Sequence, residues 1–176
     1  EALNRLGYHV APQHPAEKLL KDWSRRDFSA LIKFCTWYEA FQDVPFSFPY
    51  TFQEVDRAFP DAKFILTIRN TPEEWYQSVK RFHAKMFSDG SKASAAELKN
   101  AEYCYKGYIW DCQRFVYGIE EGQEYDKEIY IKHYEFHNQA IKDYFRWQSH
   151  KLLVLNVSEP GAYQKLAAFL NLQVDP

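Results

Sequence analysis

Three residues stand where anion binding and proton transfer are chemically reasonable. Arg69 directly follows the apolar run Phe64-Ile65-Leu66-Thr67-Ile68 and precedes Thr71-Pro72-Glu73-Glu74. The latter reads as a helix start, with Thr71 as N-cap, Pro72 at the first helical position and Glu74 closing a capping box. A guanidinium offers a planar fork to phosphate oxygens, and a helix N-terminus adds N–H groups and a favourable dipole. Ser78 lies two turns into that helix. Helical spacing predicts a buried stripe of Trp75, Val79, Phe82 and Met86 with Ser78 at its margin, where a hydroxyl needs a partner. That partner is a bound phosphate or, on the alternative reading, the preceding turn of helix, with Arg69 in a surface ion pair.

The third residue is Asp43, at the end of the segment 40–44 and just before Val44-Pro45. A carboxylate in a dry crevice can have its pKa raised and take a proton from a hydroxyl nucleophile; it can equally cap a turn before proline. Other groupings read more plainly. His133 and His137 form H-x-x-x-H without the glutamate of a zincin or an evident third ligand, so no metal site is expected. Cys104 and Cys112 read as buried hydrophobes. The aromatic clusters 37–50 and 103–110 read as core or as an acceptor pocket.

The elements that must position these residues follow from periodicity and punctuation. Strands are predicted over 40–44, 64–68 and 152–156, with a short one at 8–10. Helices are predicted over 17–23, 27–38, 52–59, 72–87, 95–116, 128–145 and 161–170. The runs at 64–68 and 152–156 are apolar without alternation, as parallel strands covered on both faces are. The order implies an α/β protein with a parallel sheet flanked by helices, read as a single domain over 1–176. Ligands of such sheets bind beyond the carboxyl ends of the strands, which is where Asp43 and Arg69 fall.

Composition removes other classes. With 46% hydrophobic and 26% charged residues the chain is neither disordered nor low in complexity. A net charge of −2 argues against a non-specific nucleic-acid binder. No apolar run is long enough to span a bilayer. Three cysteines without C-x-x-C spacing argue against a disulfide framework and predict a reduced, cytoplasmic setting. Glu1–Leu6 reads as the body of a helix stopped at Gly7, so the amino-terminal part of the fold is expected upstream.

Asp43-Val44-Pro45, the run Phe59-Pro60-Asp61-Ala62-Lys63-Phe64-Ile65-Leu66-Thr67-Ile68-Arg69-Asn70 and the run Pro72-Glu73-Glu74-Trp75-Tyr76-Gln77-Ser78-Val79 together resemble the P-loop sulfotransferases, most closely their small soluble branch. Tyr134–Asn138, Lys151–Leu155 and Leu166–Leu170 resemble the family's closing helix, strand and helix. The resemblance implies a P-loop-type fold. It also implies transfer of a sulfuryl group from 3′-phosphoadenosine 5′-phosphosulfate (PAPS) to a hydroxyl or amine of a small-molecule or glycan acceptor. Carried over, Arg69 and Ser78 hold the 3′-phosphate and Asp43 is the general base. The family separates the first two by eight positions; here 78 − 69 = 9, with one extra residue in the turn.

The family's Gly-rich phosphosulfate loop has no counterpart among the six glycines, and Glu1–Gly7 resembles the helix that follows it. The first strand and the loop are therefore expected upstream, and residues 1–176 alone are expected not to catalyse transfer. The alternatives on the same topology are a P-loop kinase using ATP and Mg²⁺ and a non-catalytic nucleotide-binding module. Acceptor identity and oligomeric state stay open at this stage.

Overall fold

The structure, a computed structural model, describes residues 1–173. These divide into two compact units, one formed by Glu1–Ile68 with the chain from Ala140 onward, the other by Arg69–Gln139. In the first, five helices precede the sheet: α1 (Ala2–Arg5), α2 (Gln13–Glu17), α3 (Leu20–Ser24), α4 (Ser29–Cys35) and α5 (Thr51–Ala58). The run at Phe64–Ile68 forms β1, as its apolar sequence predicts. The second strand of the sheet, Leu152–Asn156, pairs with it in parallel, Phe64 opposite Leu152 and Ile68 opposite Asn156. Alternate β1 residues Phe64, Leu66 and Ile68 meet Phe52 of α5 and Ile141 and Phe145 in one apolar cluster. The protein is thus α/β, with a parallel pair of strands flanked by helices. Coverage is thinner than an unbroken apolar run implies, since Thr67 and Val154 are exposed.

The strand expected over 40–44 reduces to one parallel bridge, Ala40 with Val10, which also accounts for the short strand foreseen at 8–10. Asp43 has a left-handed backbone (φ 57), so extended pairing cannot continue past Gln42. Phe41 and Phe46 pack instead around Phe34, with Tyr38. Between the 39–41 segment and β1 lies a cleft of about 470 Å³, lined by Tyr38, Phe41, Phe46, Phe52, Phe64 and Ile65 among others. Among the described residues β1 has a strand partner on one edge alone.

The second unit contains α6 (Pro72–Phe87), α7 (Ala95–Asn100), α8 (Tyr108–Tyr117) and most of α9 (Lys127–Tyr144). A single helix over 95–116 was the sequence expectation; the structure has two, α7 and α8. They are joined through Gly107, whose φ is +83 and where an added Cβ would lie 3.3 Å from the Lys99 carbonyl oxygen. Only glycine fits both demands. Ser94 and Glu97 form a complete capping box at the start of α7. The unit's interior is aromatic: Tyr76, Tyr108, Trp110, Tyr125 and Tyr130 are all buried. Chain continuity from α9 leads back to the first unit, through the strand Leu152–Asn156 (β2) to α10 (Ala162–Phe169). No helix among the described residues is long and apolar enough to cross a membrane.

Candidate active site

At the end of β1 the structure places Arg69 exposed to solvent, with its backbone N–H donated to the Tyr134 hydroxyl at 3.1 Å. The Tyr134 ring is stacked on Trp75 of α6, with centroids 4.5 Å apart and planes at 17°. One tyrosine thus ties Arg69 to the first turn of the helix. The helix start is as its sequence predicts, with one adjustment. The Thr71 hydroxyl accepts from the Glu74 N–H, and the Glu74 carboxylate accepts from the N–H and the side-chain amide of Asn70 rather than from Thr71. The extra residue of the turn is therefore a held part of the cap, and α6 begins with its N-terminus close in sequence to the Arg69 guanidinium.

Ser78 is half-buried in α6, but the helix buries a different face from the one predicted. The residues α6 buries are Tyr76 and Ala84, while Phe82 and Met86 of the expected stripe are 59% and 50% exposed. The inward face is chosen by polar tips that find partners. The Tyr76 hydroxyl donates to the Tyr125 carbonyl at 2.7 Å, and His83 Nδ1 lies 3.0 Å from the Tyr125 hydroxyl and 2.9 Å from Gln113 Nε2. Ser78 follows Tyr76 by two positions, about 200° around the helix. It therefore stands outside its own unit's core, one turn beyond Glu74. The back-bond to the preceding turn is not made, and the Ser78 hydroxyl has no hydrogen-bond partner among the described residues. Its capacity is available to a ligand.

Asp43 belongs to the other unit. Its side chain is exposed on the solvent side, yet protein crowds the carboxyl enough that desolvation raises its pKa, opposed by a hydrogen bond from the Val44 backbone. Around it the chain is tightly held. The Asp43 carbonyl accepts from Ser47 N–H at 2.7 Å, the Val44 carbonyl from Gln13 Nε2 at 3.1 Å, and the Pro45 carbonyl from the Thr51 hydroxyl at 2.8 Å. A carboxyl with a raised pKa on a fixed turn is suited to accepting a proton.

Of the other candidates, Cys104 and Cys112, read as buried hydrophobes, are only half-buried, and Tyr50 and Tyr103 of the aromatic clusters are exposed. His133 and His137 are half-buried with parallel rings 6.0 Å apart, His133 edge-on to Tyr117. Desolvation lowers both pKa values, His133 to about 4. Phe48, Tyr108 and Trp110 are core, whereas Trp37 is exposed. The residues that sequence reasoning did not single out are Tyr134, Thr51 and Gln13. Tyr134 and Gln13 reach partners 65 and 31 positions away, and Thr51 accepts from Trp23 across 28, so no local pattern announces them.

Comparison with known families gives the class. Residues 2–176 match the sulfotransferase domain, and the chain belongs to that family. It is a transferase that moves a sulfuryl group, with the α/β architecture described above. No curated protein matches the chain.

Proposed function

We propose that the protein transfers the sulfuryl group of PAPS to a hydroxyl or amine of a small-molecule or glycan acceptor. Arg69 and Ser78 hold the 3′-phosphate and Asp43 takes the acceptor's proton. The observation that carries this reading is the half-buried hydroxyl of Ser78, without a hydrogen-bond partner among the described residues, on the helix whose capped N-terminus follows the exposed Arg69. These residues suit a phosphate: a planar cation, a hydroxyl with free donor and acceptor capacity, and the positive end of a 16-residue helix. When bound, PAPS supplies the activated sulfuryl group and a bisphosphate leaving group. Asp43 accepts the acceptor's proton as the new S–O bond forms and the bridging oxygen departs, and its raised pKa suits it to that transfer. Asn70, Glu74 and Tyr134 keep Arg69 and the helix start in register.

The cation and backbone cradle for the departing oxygen belong, on this reading, to a Gly-rich loop upstream of Glu1, following a strand that lies against the open edge of β1. The apolar cleft between β1 and residues 39–41 favours that arrangement, because a parallel strand buried on both faces needs such a lining. The test is calorimetry on the full-length protein. Adenosine 3′,5′-bisphosphate is expected to bind and ATP with Mg²⁺ is not; binding of ATP alone, or of both equally, refutes the donor assignment. Arg69→Ala is expected to weaken bisphosphate binding about tenfold to a hundredfold, the range of a charge-assisted hydrogen bond, and to spare adenosine 5′-monophosphate.

A further inference from the structure

The turn that carries Asp43 is held by side chains from elsewhere in its unit. Thr51 is buried at the first position of α5. Its Oγ1 accepts from the indole N–H of Trp23, itself buried, at 2.9 Å and donates to the Pro45 carbonyl at 2.8 Å. A hydroxyl that accepts one bond from a rigid indole has its own hydrogen directed elsewhere, and here it meets the carbonyl two residues beyond Asp43. Gln13, from α2, donates to the adjacent Val44 carbonyl. Asp43 itself sits at φ 57, a region that a non-glycine residue keeps only where its surroundings over-determine it. Ser47 N–H closes the turn on the Asp43 carbonyl. The three successive carbonyls of 43–45 are thus each engaged, two of them by side chains that the turn does not contain.

We propose that Thr51 is a positioning residue for Asp43, with Gln13 as its companion on the next carbonyl: together they fix the turn from which the carboxylate reaches the acceptor. This rests on the assignment of Asp43 as the base. Neither residue touches the reacting atoms. Their effect is on the placement of a proton acceptor, where a displacement of about 1 Å can cost about a hundredfold in rate.

Steady-state kinetics and calorimetry on the full-length protein test this. Thr51→Val keeps the shape and removes both hydrogen bonds. It is expected to lower kcat about tenfold to a hundredfold while leaving adenosine 3′,5′-bisphosphate affinity unchanged, and Thr51→Ser is expected to restore kcat to within about threefold. In an Asp43→Asn background the valine substitution is expected to cost nothing further, because its effect passes through the missing carboxylate. A merely structural role predicts the same loss in both backgrounds. Should Thr51→Val not fold, Gln13→Leu carries the same pair of expectations from the neighbouring carbonyl. A folded Thr51→Val protein with wild-type kcat, or an equal loss in the two backgrounds, overturns the proposal. If instead Asp43→Asn itself turns over normally, it is the base assignment that fails.

Discussion

Acid should loosen the unit that carries Arg69 and Ser78, through a histidine that the chemistry does not use. His83 is largely enclosed: its Nδ1 faces the Tyr125 hydroxyl and Gln113 Nε2, and its ring contacts those of Phe82, Phe87 and Tyr125. The side chain keeps a margin of solvent contact, but the nitrogen that would take the proton faces two hydrogen-bonding groups already placed to donate. Desolvation lowers its pKa from 6.5 to about 4. The sign follows directly. A group deprotonated more readily in the folded state contributes stability that is complete above 6.5 and is lost as the pH falls towards 4. Linkage gives a loss of about 2 kcal/mol between about pH 8 and pH 5, and about 3 kcal/mol at full titration. With a urea m-value of about 2 kcal/mol/M, the midpoint falls by about 1 M over that range on account of His83 alone. His133, lowered to about 4 by desolvation and by His137, adds a loss of its own, so the quantity to read is the difference between wild type and His83→Asn. Urea titrations of both proteins at the two pH values, followed by aromatic fluorescence, measure it. An asparagine variant whose midpoint falls with pH as steeply as wild type refutes the reasoning.

Two further outcomes follow from contacts described above. Tyr134→Phe removes the acceptor for the Arg69 N–H while keeping the stack on Trp75; calorimetry should show bisphosphate affinity reduced about fivefold, the cost of one neutral hydrogen bond at a held position. Asp56 of α5 is buried between the Lys151 ammonium and the Tyr144 hydroxyl, so Asp56→Asn leaves a buried cation without its counter-ion and should cost about 3–5 kcal/mol in thermal or urea unfolding.

Much of the fold was legible because its signals are local. β1 and β2 are largely apolar runs without alternation, and α6 starts on a threonine, a proline and a glutamate whose roles are fixed within four residues. The misread parts depended on distant partners. Hydrophobic ranking put Phe82 and Met86 inside and passed over Tyr76 and His83; the interior takes the latter because Tyr125 and Gln113 meet their polar atoms there. The segment 40–44 has the composition of a strand, but Asp43 takes a left-handed backbone conformation through contacts outside the segment, and Ala40 alone pairs. Arg69, Ser78 and Asp43 were visible as residue types at marked positions. What holds them was not, since Tyr134 and Gln13 act across tens of residues.

The parallel pairing of β1 with β2 also constrains how the chain can fold. Residues 69–151, 83 in number, separate the end of one strand from the start of the other. Bringing such ends together from an open coil costs about 4 kcal/mol in closure entropy before a single ladder bond forms. Prior compaction of the intervening helices shortens that search. Zippering of the sheet is therefore expected to follow that compaction, so that a lesion in the intervening helices slows strand pairing as well.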